Sequence, residues 1–416
     1  MIDKYMELTR RKALFGAVAV VAGASLAGKA RASEDIVIGA SLPLSGPLAG
    51  FGGYVRWGYT HAIEQVNAAG GLLIDGEKRR VRLEIRDDRS DPNIVASNTE
   101  TLISREGAIS ILSSPTPPLV AAGGLVAERN RIPFVSGSAP LDSFRAIRNW
   151  RYAWDLFFHE PELGAAPFQM MADYALKTNR RIVILHDNGP DGQVVGEQAW
   201  PAIAAAFGYQ IVHNAAFPMD ANQFTSVIAD AKASEADIVM VMSSTPQAVA
   251  IRKQMAAADY LPKVLVMERG GEPEQFREAC GPLADGVLIG AYWDPTFPFP
   301  GAKELADAYV AETGQTWSRH ISASNAAARI LLDAIARAGS LDGDAINDEI
   351  AATDATYVVG PVAFDETHTS KLPVALSQWN GDQAVIVWPQ KQANRELLFP
   401  VPYRTEQGAL SVRNTR

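Results

Sequence analysis

Cysteine is nearly absent from this sequence, since its 416 residues include only Cys280. A single thiol excludes an internal disulfide, and no second cysteine is available to carry a lipid near the N-terminus. Cys280 closes a predicted helix and precedes Gly281-Pro282, a setting typical of a packed residue rather than a nucleophile.

Long apolar runs are also scarce. The run from Ala13 to Ala27 falls short of the roughly 20 residues that span a bilayer, and its small residues are typical of a signal peptide. It follows Arg10-Arg11 and ends in Ala30-Arg31-Ala32. We predict an export signal of the twin-arginine type, cleaved after Ala32, that delivers a free protein to the periplasm. An ordinary secretory signal with a chance arginine pair and a membrane anchor are the alternatives.

Positive charge is in deficit. Residues 1–32 hold six basic and two acidic side chains, so the remainder has 32 basic and 45 acidic residues and a net charge of −13. This balance argues against nucleic acid or an anionic membrane as a partner. With 47% hydrophobic and 20% charged residues, the composition is that of a globular protein.

Motifs of catalysis are missing. The sequence has no G-x-S-x-G, P-loop or G-x-G-x-x-G, and its six histidines lie far apart, so we expect no metal, cofactor or enzymatic activity. His186-Asp187 is an acid/base candidate but is better interpreted as a strand-end turn. A calcium loop beginning at Asp187 would have Gly189 and Gln198 at two positions that need oxygen ligands.

Strand and helix patterns alternate along the chain. Buried strands such as IVIGASL, AISIL, RIVILHD and DIVMVMSS are separated by helical segments, which indicates parallel sheets covered on both faces. The length exceeds one ordinary core. We predict an α/β protein of two Rossmann-like lobes, 35–154 with 290–361 and 155–289 with 362–390, followed by a polar, loosely held tail, 391–416.

Hydroxyl residues follow two strands of the first lobe. Ser113, Ser114 and Thr116 follow AISIL, and Ser136 and Ser138 follow IPFV. Ligands of open α/β sheets lie beyond the carboxyl ends of strands, so these hydroxyls and nearby amides are predicted to form a neutral cradle for a carboxylate. The alternative is that they only cap helices and turns.

The second lobe and the crossing between lobes add further candidates. Ser244 and Glu268 follow apolar strands, and a carboxylate in that position is desolvated, paired or facing a cleft. Aromatic residues stand at predicted cleft-facing turns, namely Phe51 and Tyr292-Trp293. An internal ion pair for Glu268 and hinge packing for the aromatic residues are the alternatives.

Several segments in order carry a family resemblance. IVIGASLPLSGPLAGFGG, VNAAGG, RDDRSDP, SSPTPP, VSGSAP, RIVILHDNGPDG and GPVAFDE resemble the Leu/Ile/Val-binding class of substrate-binding proteins for ABC transporters. The resemblance implies the type I periplasmic binding fold, with two lobes joined by a three-stranded hinge and a ligand in the cleft between them.

The resemblance also assigns roles. Ser114 and its neighbours and the loop Ser138-Ala139-Pro140 would bind a carboxylate, Glu268 an α-amino group, and Phe51 the ligand side chain. Two departures argue against a plain leucine ligand: Pro140 replaces a common threonine, and the run from Asn188 through Asp191 to Gly192 replaces a cleft tyrosine. An aromatic acid, an amide or a modified amino acid then becomes a candidate.

These observations predict an extracytoplasmic receptor that closes on a small carboxylate-bearing ligand and delivers it to an ABC permease. A periplasmic sensor that feeds a receptor or regulator is the main alternative within the fold. An enzyme of another α/β class is a distant one.

Overall fold

The computed structural model describes residues 35–404 and 410–411, so the predicted export signal lies outside the described residues. The strands have the following bounds: β1 Ile36–Leu42, β2 Leu72–Ile74, β3 Glu77–Arg79, β4 Val81–Asp87, β5 Ser110–Leu112, β6 Phe134–Ser136, β7 Ala153–Phe157, β8 Arg181–Asp187, β9 Gln210–Phe217, β10 Ile238–Ser243, β11 Val264–Arg269, β12 Val287–Ala291, β13 Asp354–Tyr357, β14 Gly360–Ala363, β15 Thr369–Lys371, β16 Ala375–Asn380, β17 Gln383–Trp388, β18 Tyr403–Arg404 and β19 Leu410–Ser411.

Helices separate most of these strands. Their bounds are α1 Ala49–Ala68, α2 Pro92–Ser104, α3 Pro117–Asn130, α4 Leu141–Ile147, α5 Glu160–Asp173, α6 Pro190–Gln193, α7 Trp200–Ala206, α8 Thr225–Ala233, α9 Thr245–Ala257, α10 Glu274–Cys280, α11 Ala302–Thr313, α12 His320–Ala338 and α13 Gly343–Ala351. A π-helical turn, Val194–Ala199, joins α6 to α7, and a 3₁₀ turn, Gly281–Ala284, follows α10. No helix of the described part is long and apolar enough to cross a membrane.

Two sheets form the frames of the two lobes. The first has the order β15-β7-β6-β5-β1-β4 and is parallel throughout. The second has the order β17-β16-β12-β11-β10-β8-β9, in which β16 and β17 are antiparallel and the other strands are parallel. The predicted α/β fold class with two lobes is confirmed.

Apolar side chains cover both faces of each sheet, as the near-continuous apolar strands require. One face of the first sheet carries α1 and α12, which approach closely at Gly58. A Cβ atom at Gly58 would lie 2.1 Å from the Ser324 hydroxyl oxygen and 2.9 Å from the Ile321 carbonyl oxygen. This close packing places the start of α12, at His320, beside the carboxyl ends of the first sheet.

The chain passes between the lobes three times. The passages follow β7, β12 and β15, because β7 and β15 belong to the first sheet and β8, β12 and β16 to the second. The sequence places the third passage at 361/362. However, β15 pairs with β7, from Thr369 opposite Asp155, so this passage comes after Lys371.

The chain after β17 is less loose than the sequence predicts. Val401 is buried in the second lobe, where its amide donates to the Lys263 carbonyl oxygen at 3.0 Å. The Leu398 amide donates to the Gln378 side chain at 2.8 Å. Alternate apolar residues of this segment, Leu397, Phe399 and Val401, pack against the lobe, which is the physical reason for its order.

Candidate ligand-binding site

A cleft lies between the carboxyl ends of the two sheets. It contains about 730 Å³ of space free of protein atoms, part of it open to solvent. Nineteen residues from both lobes line it: Phe51, Pro115, Thr116, Pro117, Ser138, Pro140, Phe157, Phe158, Glu160, Leu163, Asp191, Val195, Met242, Glu268, Arg269, Glu272, Gly290, Tyr292 and His320.

Aromatic rings form one wall of the cleft. Phe51 of α1 meets the His320 ring edge to face, with ring centroids 4.9 Å apart. Phe157, at the end of β7, packs on Phe158 and Tyr292 at 4.4 and 4.6 Å between centroids. Since such rings bury large apolar areas with a defined orientation, this wall suits an apolar or aromatic ligand body.

The first serine loop turns its hydroxyls away from the cleft. The Ser114 hydroxyl donates to the buried Asp88 carboxylate at 2.8 Å, and the Tyr59 hydroxyl donates to the Ser113 carbonyl oxygen at 2.9 Å. Thr116 does line the cleft, with φ 73° and ψ 145°. A β-branched residue in this region is strained, and such strain is concentrated at functional sites.

The second serine loop contributes one hydroxyl. Ser138 lines the cleft, and its Oγ is buried with no hydrogen-bond partner in the described part of the chain. The Ser136 hydroxyl oxygen instead accepts from the Ser138 amide at 3.2 Å, and Ala139 is fully buried in the core of the lobe. Pro140, which follows, lines the cleft but has no amide hydrogen.

A buried carboxyl, Asp155 of β7, lies beneath this loop. Burial raises its pKa to about 7, against the opposing effects of the Ser136 hydroxyl and the backbone amides of Ser138 and Ala139. These groups are close to the carboxyl but do not reach full hydrogen-bond geometry with either oxygen. The floor of the first-lobe loop therefore contains an acid that tends to hold its proton.

Glu268 reaches the cleft from the end of β11. Its Oε1 accepts from the Gly290 amide at 2.9 Å. Burial and the charge of Glu272 raise the pKa of Glu268 to about 7, although Arg319 and the Gly290 amide favour its charged form.

The pKa of Glu272 shifts in the opposite direction, and its carboxylate contacts residues of the other lobe. Burial acts to raise its pKa, but the His320 ring, Arg319 and the Ser318 hydroxyl outweigh that effect and leave the pKa below its usual value. The Glu272 carboxylate lies 3.5 Å from the His320 ring and 3.3 Å from the Ser318 hydroxyl.

Two more carboxyls approach the cleft at helix starts. Burial raises the pKa of Glu160 to about 8, with added repulsion from Asp191, Glu268 and Asp142. Burial also raises the pKa of Asp191, while Arg269, 2.9 Å away, opposes the rise. The second-lobe side of the cleft is therefore rich in carboxyls.

The structure thus brings six of the twelve predicted site residues to the cleft: Phe51, Thr116, Ser138, Asp191, Glu268 and Tyr292. The other six do not line it: Ser113, Ser114, Ser136, Ala139, Ser244 and Trp293. Ser244 forms a capping box with Gln247 at the start of α9, and the Trp293 indole donates to the Val358 carbonyl oxygen at 2.8 Å. Ser244 therefore caps a helix, and Trp293 packs at the crossing between the lobes, which was the alternative for that residue.

Sequence reasoning missed several lining residues, notably Glu160, Glu272, His320, Phe157 and Phe158. A signal for the phenylalanines was available, since they end an apolar strand at a passage between lobes. Glu160, Glu272 and His320 gave no such signal in the sequence, because only the packing of the lobes brings them together.

The residues of the acid/base and calcium alternatives, His186, Asp187 and Asp191, have partners within the protein. The His186 ring is buried, with Nδ1 2.9 Å from the Asp187 carbonyl oxygen, and the carboxylates of Asp187 and Asp191 both pair with Arg269. Within the described residues, no three His, Cys, Asp or Glu side chains are placed to hold a metal ion.

The comparisons with known proteins agree with this architecture. The family model described as periplasmic binding protein matches residues 35–384. The chain belongs to the periplasmic binding protein family. The Leu/Ile/Val-binding protein homolog 7 of Brucella melitensis is 27% identical, over 92% of this chain and 98% of its own length.

Solved structures share the fold of this periplasmic binding protein. The branched-chain amino acid transporter substrate-binding protein LivJ of Streptococcus pneumoniae, in complex with isoleucine, has a TM-score of 0.74 and 23% identity, and covers 86% of this chain and 100% of its own. An ABC transporter solute-binding protein of R. palustris, in complex with benzoate, has a TM-score of 0.73 and 19% identity, and covers 85% of this chain and 96% of its own. The resemblance seen in the sequence is confirmed at the level of family and fold.

Proposed function

We propose that this periplasmic binding protein binds a small ligand in the cleft between its lobes and delivers it to the permease of an ABC importer. The observation that supports this proposal most directly is that one cavity has an aromatic wall from the first lobe and a carboxyl-rich wall from the second. A ligand that contacts both walls stabilises the closed arrangement, because it gains the second set of contacts only when the lobes meet.

The ligand classes to test come from the sequence and from the relatives. Amino acids, aromatic carboxylates and their amides all have an apolar body that the rings of Phe51, Phe157 and Tyr292 would contact. Relatives of the same fold hold isoleucine or benzoate, which supports a ligand of this size.

Binding is tested by thermal unfolding of residues 33–416 against a panel of amino acids, aromatic carboxylates, amides and amines. A ligand at 100 times its Kd stabilises the protein by about 2.7 kcal/mol, which raises the unfolding midpoint by several degrees. A hit is then measured by calorimetry on the wild type, on Phe51→Ala in the cleft, and on Leu125→Ala as a control at an exposed apolar residue. Affinity lost only in Phe51→Ala supports the cleft, whereas equal loss or no loss in both variants contradicts it.

Delivery is tested by uptake of the hit ligand in cells with and without the gene. Loss of uptake supports the importer. Unchanged uptake together with loss of a transcriptional response to the ligand would instead favour the periplasmic sensor.

A further inference from the structure

The charged groups of the cleft are mostly carboxyls. Four carboxyl side chains line it, Glu160, Asp191, Glu268 and Glu272, against one guanidinium, Arg269, and the ring of His320. A carboxylate of a ligand would meet repulsion along this wall, and a cation would meet attraction.

The guanidinium of Arg269 is already committed to the protein. It pairs with the Asp187 carboxylate, its Nη1 donates to Asp191 at 2.9 Å, and its Nε donates to the Ser243 carbonyl oxygen at 3.1 Å. Because three of its five N–H groups already have partners within the protein, Arg269 has only two left for a ligand carboxylate.

Three of the helix starts at the cleft are also poor anion sites. Helices α3, α5 and α6 each have a proline at the first or second position, and the start of α3 has two, Pro117 and Pro118. Proline has no amide hydrogen, so these helices lose donors where an anion would bind. The starts of α5 and α6 in addition carry their own carboxyls, Glu160 and Asp191.

Two amides of the serine loops are used within the protein. The Thr116 amide donates to the Ser138 carbonyl oxygen at 3.2 Å, and the Ser138 amide donates to the Ser136 hydroxyl at 3.2 Å. The polar side chains that these loops present to the cleft are neutral: the hydroxyls of Thr116 and Ser138. The Ser138 hydroxyl is buried, lines the cavity and has no partner, so it independently marks a place where a polar ligand atom belongs.

From this geometry we infer that the cleft selects primary amines with an aliphatic or aromatic body and discriminates against ligands that carry a carboxylate. The inference deepens the proposed function and rests on it. The ammonium group lies among the second-lobe carboxyls, the body contacts the aromatic wall, and Ser138 contributes a hydrogen bond from the first lobe.

Binding of an amine should release protons. Glu160 and Glu268, with pKa values raised to about 8 and about 7, are partly protonated in the empty cleft near pH 7, and a nearby cation favours their charged forms. Besides Glu268, which raises the pKa of Glu160, the charged groups that act on the pKa values of the two carboxyls are Asp142, Asp191, Glu272 and Arg319. Three of these four are acidic, so the wall keeps its preference for a cation.

The test compares ligands that differ only at their polar end. By calorimetry at pH 7, 3-methylbutylamine, leucine, 4-methylpentanoate and 4-methylpentanamide form one series, and 2-phenylethylamine, phenylalanine, 3-phenylpropionate and 3-phenylpropanamide form the other. We expect the amine of at least one series to bind at least tenfold more tightly than the matching amino acid, and the matching carboxylate to bind most weakly. Repeating the titration in phosphate and MOPS buffers, neither of which contains a primary amine, should show net proton release with the amine.

Substitutions in the cleft test whether the second-lobe carboxyls cause the preference for amines. Glu268→Gln and Glu160→Gln should each weaken amine binding roughly 10- to 100-fold, the range of a charged hydrogen bond. Glu278→Gln, on the exposed face of α10, is the matched control and should leave affinity unchanged.

The outcomes separate the two proposals. If leucine, phenylalanine or a carboxylate binds as tightly as the amine and loses affinity in Phe51→Ala, the proposed function stands and the amine preference is wrong. If an amine is preferred but neither Glu268→Gln nor Glu160→Gln weakens amine binding, the second-lobe carboxyls do not bind the ammonium group and that part of the inference is wrong. If the folded protein binds no member of either series or of the wider panel, both proposals are contradicted.

Discussion

Replacing Asp155 by asparagine should remove a large part of the pH dependence of stability. The Asp155 side chain is fully buried, and burial raises its pKa from 3.8 to about 7. Between these values the folded protein holds a proton that the unfolded chain releases, so the free energy of unfolding falls as the pH rises. The loss begins near pH 4, and it levels off above pH 7.

The pKa difference sets the magnitude. At about 1.4 kcal/mol for each pH unit, a shift from 3.8 to about 7 costs up to about 4 kcal/mol above pH 7, more than half of which is lost between pH 5 and pH 8. An asparagine side chain of nearly the same shape is neutral throughout this range. The Asp155→Asn variant should therefore lose less stability than the wild type over the same interval.

The assay is urea unfolding at pH 5, 6, 7 and 8, followed by fluorescence and far-UV circular dichroism. Coincident transitions establish that one free energy of unfolding applies. Glu160 and Glu268 contribute slopes of the same sign, so the quantity to compare is the difference between wild type and variant. Asp230→Asn, at an exposed position on α8, controls for the loss of a surface carboxylate. Parallel curves for wild type and Asp155→Asn would refute the reasoning.

Three further predictions concern the two serine loops, the helix contact and the thiol. Ser114→Ala should destabilise the ligand-free protein by about 1–2 kcal/mol in urea, because buried Asp88 loses a donor, and should leave ligand affinity unchanged. Ser138→Ala should leave the stability of the ligand-free protein unchanged and weaken ligand binding. If both variants changed stability and affinity equally, the structural role of Ser114 and the binding role of Ser138 would be contradicted. Gly58→Ala should cost about 1–3 kcal/mol of stability, since its Cβ would meet Ser324 and Ile321, and a wild-type midpoint would show that α1 and α12 can separate freely. Cys280 should react with a disulfide reagent only as fast as the protein opens, because it is buried and burial raises its thiol pKa to about 11; immediate labelling at pH 8 would contradict that placement.

The location of the cleft could be predicted from the sequence because it follows from general rules of parallel sheets. Polar residues after apolar strands, as at Ser138 and Glu268, mark carboxyl ends, and ligands bind beyond those ends. Phe51 and Tyr292 were found for a related reason, since each stands at a turn beside a strand or a passage between lobes.

The orientation of the hydroxyls could not be predicted in this way. Ser114 and Ser138 occupy similar places after neighbouring strands, yet one hydroxyl meets Asp88 and the other faces the cleft. The difference depends on a carboxylate that lies 26 positions earlier in the chain and reaches Ser114 only through the pairing of β4, β1 and β5. No local pattern encodes such a contact.

Glu268 and Glu272 show why the chemistry of the cleft depends on both lobes together. They are four positions apart in one segment of the second lobe, but their pKa values move in opposite directions. Glu272 meets Ser318, Arg319 and His320, which precede or begin α12 on the first lobe, so contact between the lobes stabilises its charge. Among the described residues, Glu268 has only the Gly290 amide as a hydrogen-bond donor, and burial raises its pKa to about 7, so it is partly protonated near neutral pH. One carboxylate therefore holds the lobes together, and the other remains available to gain a cationic partner from the ligand.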